Sequence, residues 1–193
     1  MSTPSSAAIL LSRQPLRPAR GTPWVQAAVQ AVRQVRNHGC RLYTSLGLST
    51  WEMLMTLAAR ETVEQTIVVP ARDRAAFARK VEWALREFDL VAGSVEFVGV
   101  FPNSPSDSNK ILMQRRDRYI VSRARRLVPV SIRAEGSMAR RVQEARERGI
   151  HIDRRFEVPY ENRRDPIAYG PSDDLPHPAV AKVGHRYIIH WTR

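Results

Sequence analysis

Short apolar segments alternate along this chain with longer stretches whose apolar residues recur every three or four positions. Alternation of that kind marks βαβ units, and units in series build a parallel sheet covered by helices on both faces. A strand buried on both faces reads as an unbroken apolar run, and Thr66-Ile67-Val68-Val69 is such a run. The expected fold is therefore α/β: a Rossmann-like three-layer sandwich with a mainly parallel sheet of about six strands. Ile67, Val68 and Val69 are expected on a central strand, paired on both sides.

Residues 8–12 read as the first strand. Pro23 opens a helix in which Trp24, Ala27, Ala28, Ala31, Val32 and Val35 keep helical spacing. Residues 40–45 form the second strand, and Leu46-Gly47-Leu48 a tight turn. Ser49 and Glu52 then match an S-x-x-E capping box, so Ser49 is expected to cap the helix that follows. Asp73 is expected to cap the next helix, before a fourth strand at 95–101. A polar loop at 102–110 leads into an arginine-dense helix at 111–126. Residues 127–132 form a fifth strand, in which Pro129 predicts an irregular ladder. The turn Glu135-Gly136-Ser137 opens a last helix, and 151–158 read as a sixth strand. After Pro159 the composition turns to Pro, Asp, Asn and Arg. The division expected is a Rossmann-like domain over 1–159 and a polar extension over 160–193, whose closing 187–191 reads as an added strand or a docking segment.

Apolar residues make up 43% of the 193 residues, enough for a proper core. No apolar run reaches the roughly 18 residues that span a bilayer. The run at 7–11 follows no basic segment and reads as a strand, not a signal peptide. Cys40 is the only cysteine, which excludes an internal disulfide and a multi-cysteine metal site. His38, His151, His177, His185 and His190 have no metal-ligand spacing. A cytoplasmic protein is expected, with no metal, no cofactor and no membrane association. Self-association is left open.

Lys and Arg outnumber Asp and Glu by 31 to 19, a net charge of +12. Such a surplus attracts phosphate-bearing partners over long range, although an arginine-rich coding bias gives the same balance. In a parallel sheet the strand-to-helix loops lie at one edge, where ligands gather. The loops 44–50, 102–110 and 134–137 share that edge. Helix N-termini there offer free N–H groups and the positive end of the dipole. Gly47 and Gly136 permit close approach of backbone to ligand, and Ser45, Ser49, Thr50 and Ser137 supply hydroxyls. Lys110, Arg116 and Arg118 supply charge, the arginine forks matching phosphate oxygens in pairs. Each residue also has a plain reading, as cap, turn residue or solvated face.

The succession Leu42-Tyr43-Thr44-Ser45-Leu46-Gly47-Leu48, Arg116-Asp117-Arg118-Tyr119-Ile120, Val128-Pro129-Val130 and Gly136-Ser137 resembles the Rossmann-like core of the DNA-processing protein A (DprA) family. More broadly it is similar to the SLOG superfamily, which includes the LOG-type phosphoribohydrolases. The resemblance runs over roughly residues 9–158. It implies a phosphate- or nucleotide-binding pocket lined by Ser45, Gly47, Arg116, Arg118, Gly136 and Ser137. Asp117 stands where the DprA pattern R-N-R has Asn, and Glu135-Gly136-Ser137 stands for Ser-Gly-Ser. The P-G-G-x-G-T-x-x-E motif of the LOG enzymes is represented only by residues 134–141, without its later glycines and its acid.

No nucleophile motif is present, and Glu52 is a candidate acid near the pocket, with capping as its plain reading. The function expected is non-catalytic binding of nucleic acid, as single-stranded DNA, or of a nucleotide-derived ligand at the C-terminal edge of the sheet. The alternatives are a LOG-like nucleotide N-glycosidase and a basic scaffold that docks a partner.

Overall fold

The computed structural model describes residues 5–14, 21–88, 90–91 and 93–160, together with the backbone of 182–183 and 186–187. Strands and helices alternate as β1 (Ser6–Leu11), α1 (Pro23–Asn37), β2 (Arg41–Ser45), α2 (Ser49–Arg60), β3 (Gln65–Pro70) and α3 (Arg74–Glu87). They continue as β4 (Val95–Val100), α4 (Asn109–Arg123), β5 (Arg126–Ser131), α5 (Ser137–Glu147) and β6 (His151–Ile152). The six strands form one sheet in the order β4-β3-β2-β1-β5-β6, and every pair is parallel.

The order explains the layers. The chain steps outward from β1 to β4, then crosses back to place β5 on the other side of β1. Right-handed crossovers put the helices of an outward walk on one face and those of the reversed walk on the other. Accordingly α1 packs on α2, α4 packs on α5, and α4 runs across β1 to β4. This is the expected Rossmann-like α/β architecture.

Burial follows the two-residue period of a strand covered on both faces. Ile67 and Val69 pack with Met55 and Ala84, whereas Val68, between them, joins the cluster of Leu112 and Ile120. All three β3 residues are fully buried, with β2 and β4 paired on either side. Trp24 and Trp51 are core residues, as is Cys40.

Pro129 leaves its trace in the ladder. Leu10 pairs with Pro129 but Leu11 pairs with Ser131, so one residue of β5 is skipped. Proline has no N–H to give the ladder, and a bulge at that point accommodates it.

The sixth strand is shorter than its apolar pattern predicts. It ends at Ile152 instead of running to 158. Asp153 turns the chain: its Oδ1 accepts from Arg155 N at 3.3 Å and Arg155 Nε at 2.9 Å. The backbone returns to β5 only where Val158 N donates to Val130 O at 2.7 Å.

By its contacts the chain divides into units 1–162 and 163–193. In the second, β7 (Lys182–Val183) and β8 (Arg186–Tyr187) pair antiparallel. Trp191, His177, His185, His190 and the expected extension, apart from Tyr160 and the backbone of 182–183 and 186–187, lie outside the described residues. No helix among the described residues is long and apolar enough to cross a membrane.

Candidate functional site

The β2–α2 turn gathers part of the predicted set. Ser45 ends β2 fully buried, its Oγ 2.7 Å from Val68 O and 3.1 Å from Leu46 O. Gly47 has φ +95°, a conformation that a side chain disfavours. Its N–H donates to Glu52 Oε1 at 3.0 Å. The helix begins one residue earlier than the capping box predicts, with Leu48 as N-cap and no side-chain cap. Ser49 is therefore an exposed first-turn residue and does not cap α2. The Glu52 carboxylate reaches past it to the turn. Thr50 is buried.

Arg116 and Arg118 separate. Residues two apart on a helix face different directions, and side chains tilt toward the helix N-terminus. Arg116, 1% exposed, tilts up beneath the β2–α2 turn. Its Nε and Nη2 lie 2.9 and 2.7 Å from Asp117 Oδ1, and its Nη1 is 3.5 Å from Leu46 O. The guanidinium also sits 5.9 Å from the centre of the Trp51 ring. Arg116 thus braces the turn from inside, and its fork is occupied by Asp117. Arg118 is exposed on the other side of α4, and Lys110 is exposed in its first turn.

The β5–α5 turn is built differently. Gly136 is the N-cap of α5, no side chain accepts from the first N–H groups, and the first turn holds no acid. By contrast, Asp73 Oδ1 accepts from Ala76 N at 2.6 Å to cap α3, and Ser108 Oγ accepts from Ile111 N at 3.3 Å to cap α4. Helix α1 starts on Pro23, with no N–H to satisfy, and Val25 N donates to Thr22 O. A Cβ on Gly136 would stand 3.0 Å from Arg133 O, so the turn is closed tightly. Ser137 and Arg133 are exposed beside it, as is Glu135.

Just before this turn lies a residue that sequence reasoning missed. Ser131 is 1% exposed, and its Oγ has no hydrogen-bond partner among the described residues. A buried hydroxyl left unpaired costs free energy, so one in a folded protein calls for an explanation. Ser131 ends β5 beside β1, where the strand order reverses. Ligands of open α/β sheets bind in the crevice at that reversal. The crevice is firmly tied: Gln14 Nε2 donates to Ser12 O at 3.1 Å and lies 3.3 Å from Ser131 O. Arg133 N donates to Ser12 Oγ at 2.9 Å. No local signal marks it in the sequence, because its unpaired state depends on what packs around the end of β5.

Two further groups shape the electrostatics. The Arg155 guanidinium bonded to Asp153 holds that carboxyl down to about 2. Burial pushes Arg141 below the ordinary guanidinium range, against the attraction of nearby Asp117. No cluster of three potential metal ligands occurs among the described residues.

No family model matches this chain, and no curated protein matches its sequence. Among solved structures it is similar to DNA processing protein A (DprA) from Streptococcus pneumoniae, with a TM-score of 0.53 and 12% identity. The match covers 77% of this chain and 49% of that one, so this chain spans about half the length of the protein it resembles. At this identity the likeness is one of fold, and the chain shares the Rossmann-like fold of DprA.

Proposed function

We propose that this protein binds nucleic acid, as single-stranded DNA, or a nucleotide-derived ligand without catalysis, seating a phosphate at the N-terminus of α5. The observation that carries the reading is the Ser131 hydroxyl, without a partner among the described residues, buried at the strand reversal and followed by an uncapped helix start. Free N–H groups, the helix dipole and one unmet hydroxyl match a phosphate oxygen in charge and hydrogen-bonding capacity. Gly136 and Ser137 belong to this seat, and Arg133 adds charge at its rim.

The α2 start is the weaker of the two turns for an anion. Glu52 already places a carboxylate on the Gly47 N–H, and its charge opposes a second anion there. Ser45, Gly47, Ser49 and Thr50 then form the wall next to the seat, with Arg116 positioning that wall from beneath. Binding without hydrolysis fits the same geometry, since Glu52 at the β2–α2 turn is held by the Gly47 N–H and Glu135 beside the seat is exposed to solvent. DNA as the polyanion is supported by the net charge of +12 and by the fold shared with a DNA-processing protein.

Fluorescence anisotropy with labelled single-stranded DNA, and competition by nucleoside monophosphates, tests the reading. Arg133→Ala should weaken binding by about 1–3 kcal/mol and flatten the salt dependence by slightly less than one unit. Absence of binding to either probe at about 50 mM salt would remove the proposal.

A further inference from the structure

The charged residues that the edge site leaves unused converge on one side of α4. A cleft of about 500 Å³ between α4 and α5 is lined by Arg118, Val121, Arg141, Glu144, Glu147 and Arg148. A second, of about 300 Å³, runs beside the β4–α4 loop, lined by Asn103, Asp107, Ile111, Gln114, Arg115 and Arg118. Arg118 borders both, so the two hollows meet at its side chain.

We infer that this trench is a second contact surface for a nucleic-acid strand, carrying it from the sheet edge down between α4 and α5. The inference rests on the nucleic-acid reading of the edge site and extends it to a stretch of strand. The upper hollow starts at the β4–α4 loop, which belongs to the ligand edge. From Asn109 to Val121 the helix covers on the order of 18 Å, a span that a mononucleotide cannot occupy.

The two hollows differ in charge chemistry. In the upper one Arg115 is committed: it pairs with Asp107 at 3.5 Å and bonds Asn103 Oδ1. In the lower one Arg118 and Arg148 are exposed and make no ion pair among the described residues. Arg148 Nε bonds Glu144 O, and the rest of its fork has no partner among the described residues. Arg141 is anchored by Nη2 on Gln114 O at 3.0 Å, while its buried Nε has no partner among the described residues. Unmet guanidinium donors at the wall of a cleft suit phosphate oxygens. Glu144 and Glu147 reduce the positive charge but are exposed, and Gln143 Nε2 holds Glu147 Oε1 at 2.9 Å. Solvent screens these carboxylates and the exposed arginines alike, and the lower lining keeps three arginines against two glutamates.

The test is the length dependence of single-stranded DNA binding, comparing labelled oligothymidylates of about four and about twelve residues. The wild-type protein should bind the longer strand more tightly. Arg118→Ala with Arg148→Ala should lower affinity for the longer strand roughly tenfold, leave the shorter one unchanged and flatten the salt slope by about 1.4. Arg79→Ala with Arg146→Ala removes the same charge outside the trench and should keep the length gain. Retention of the gain in the Arg118/Arg148 variant, or equal loss in both variants, overturns the trench.

The failure of each reading has its own signature. Tight binding of the short strand with no gain for the long one leaves the edge site and removes the trench. Binding of the long strand alone, lost with Arg118 and Arg148, removes the edge site and leaves the trench. No binding of either strand removes both.

Discussion

The Arg116 guanidinium holds the carboxylate of its own sequence neighbour, Nε and Nη2 both closing on Asp117 Oδ1 at 2.9 and 2.7 Å. The pair is buried, with side chains 2% and 12% exposed. Removing one member strands the other charge, at a cost of about 3–5 kcal/mol. Arg116→Ala should therefore shift the denaturant midpoint strongly, and Asp117→Asn, which keeps an acceptor, should shift it less. An Arg116→Ala protein as stable as wild type but unable to bind DNA would show that the guanidinium faces the ligand instead.

Ser131→Ala should move stability and binding in opposite directions. The substitution removes a buried hydroxyl that has no partner among the described residues, so the free protein should gain on the order of 1 kcal/mol. It also removes a donor to the phosphate, so nucleotide affinity should fall. Thermal melts with and without ligand read both effects. A drop in free-protein stability would mean that the hydroxyl is satisfied within the fold.

The capping residues should differ sharply. Asp73→Ala should cost about 1 kcal/mol, because Asp73 accepts from Ala76 N. Ser49→Ala should stay within about 0.5 kcal/mol, as at other exposed sites without a special contact. Urea titrations of the two variants settle the assignment. A larger loss from Ser49→Ala would restore it as the cap of α2.

Asp153 sets an acid limit. Its carboxyl sits at about 2 in the folded protein, against an ordinary 3.8, chiefly through the hydrogen bond from Arg155. A depressed folded value gives stability that is fully present above the unfolded value and lost as pH falls toward the folded one. Wild type should lose more stability than Asp153→Asn between about pH 5 and pH 2. Arg155 is 61% exposed at its side chain, so added salt should shrink the difference. Parallel acid titrations of the two proteins would refute the coupling.

What was legible in the sequence follows from which interactions are local. The unbroken run Ile67-Val68-Val69 announced a central strand because burial on both faces leaves no polar position. Pro129 announced an irregular ladder because its missing N–H is a property of one residue. Arg116 was legible only as half of a pair. Helical spacing shows that residues 116 and 118 face apart, but only the crossing of α4 over the sheet decides which of them is buried. Ser49 matched a capping pattern, yet the helix starts one residue early and Glu52 accepts from the Gly47 N–H. Ser131 carried no local signal, since its unpaired state depends on what packs around the end of β5. The apolar residues of 151–158 suggested a continuous strand, and the Asp153–Arg155 turn interrupted it.

The pairing of β1 with β5 has a consequence for how the chain acquires this shape. Ala7 lies beside Arg126 in the finished sheet, so the central strand receives its second neighbour only after most of the chain exists. During synthesis β1 to β4 can assemble in order, while one side of β1 keeps open hydrogen-bonding groups until β5 arrives. Contacts between residues so far apart in sequence slow folding, because a long loop must close before they give any return. The same β1–β5 junction lines the proposed phosphate seat, so the ligand crevice comes into being only once β5 has joined the sheet, with β6 still to be added. A polyanion that binds there can act only on chains that have completed it, and a product truncated before residue 126 lacks the crevice altogether.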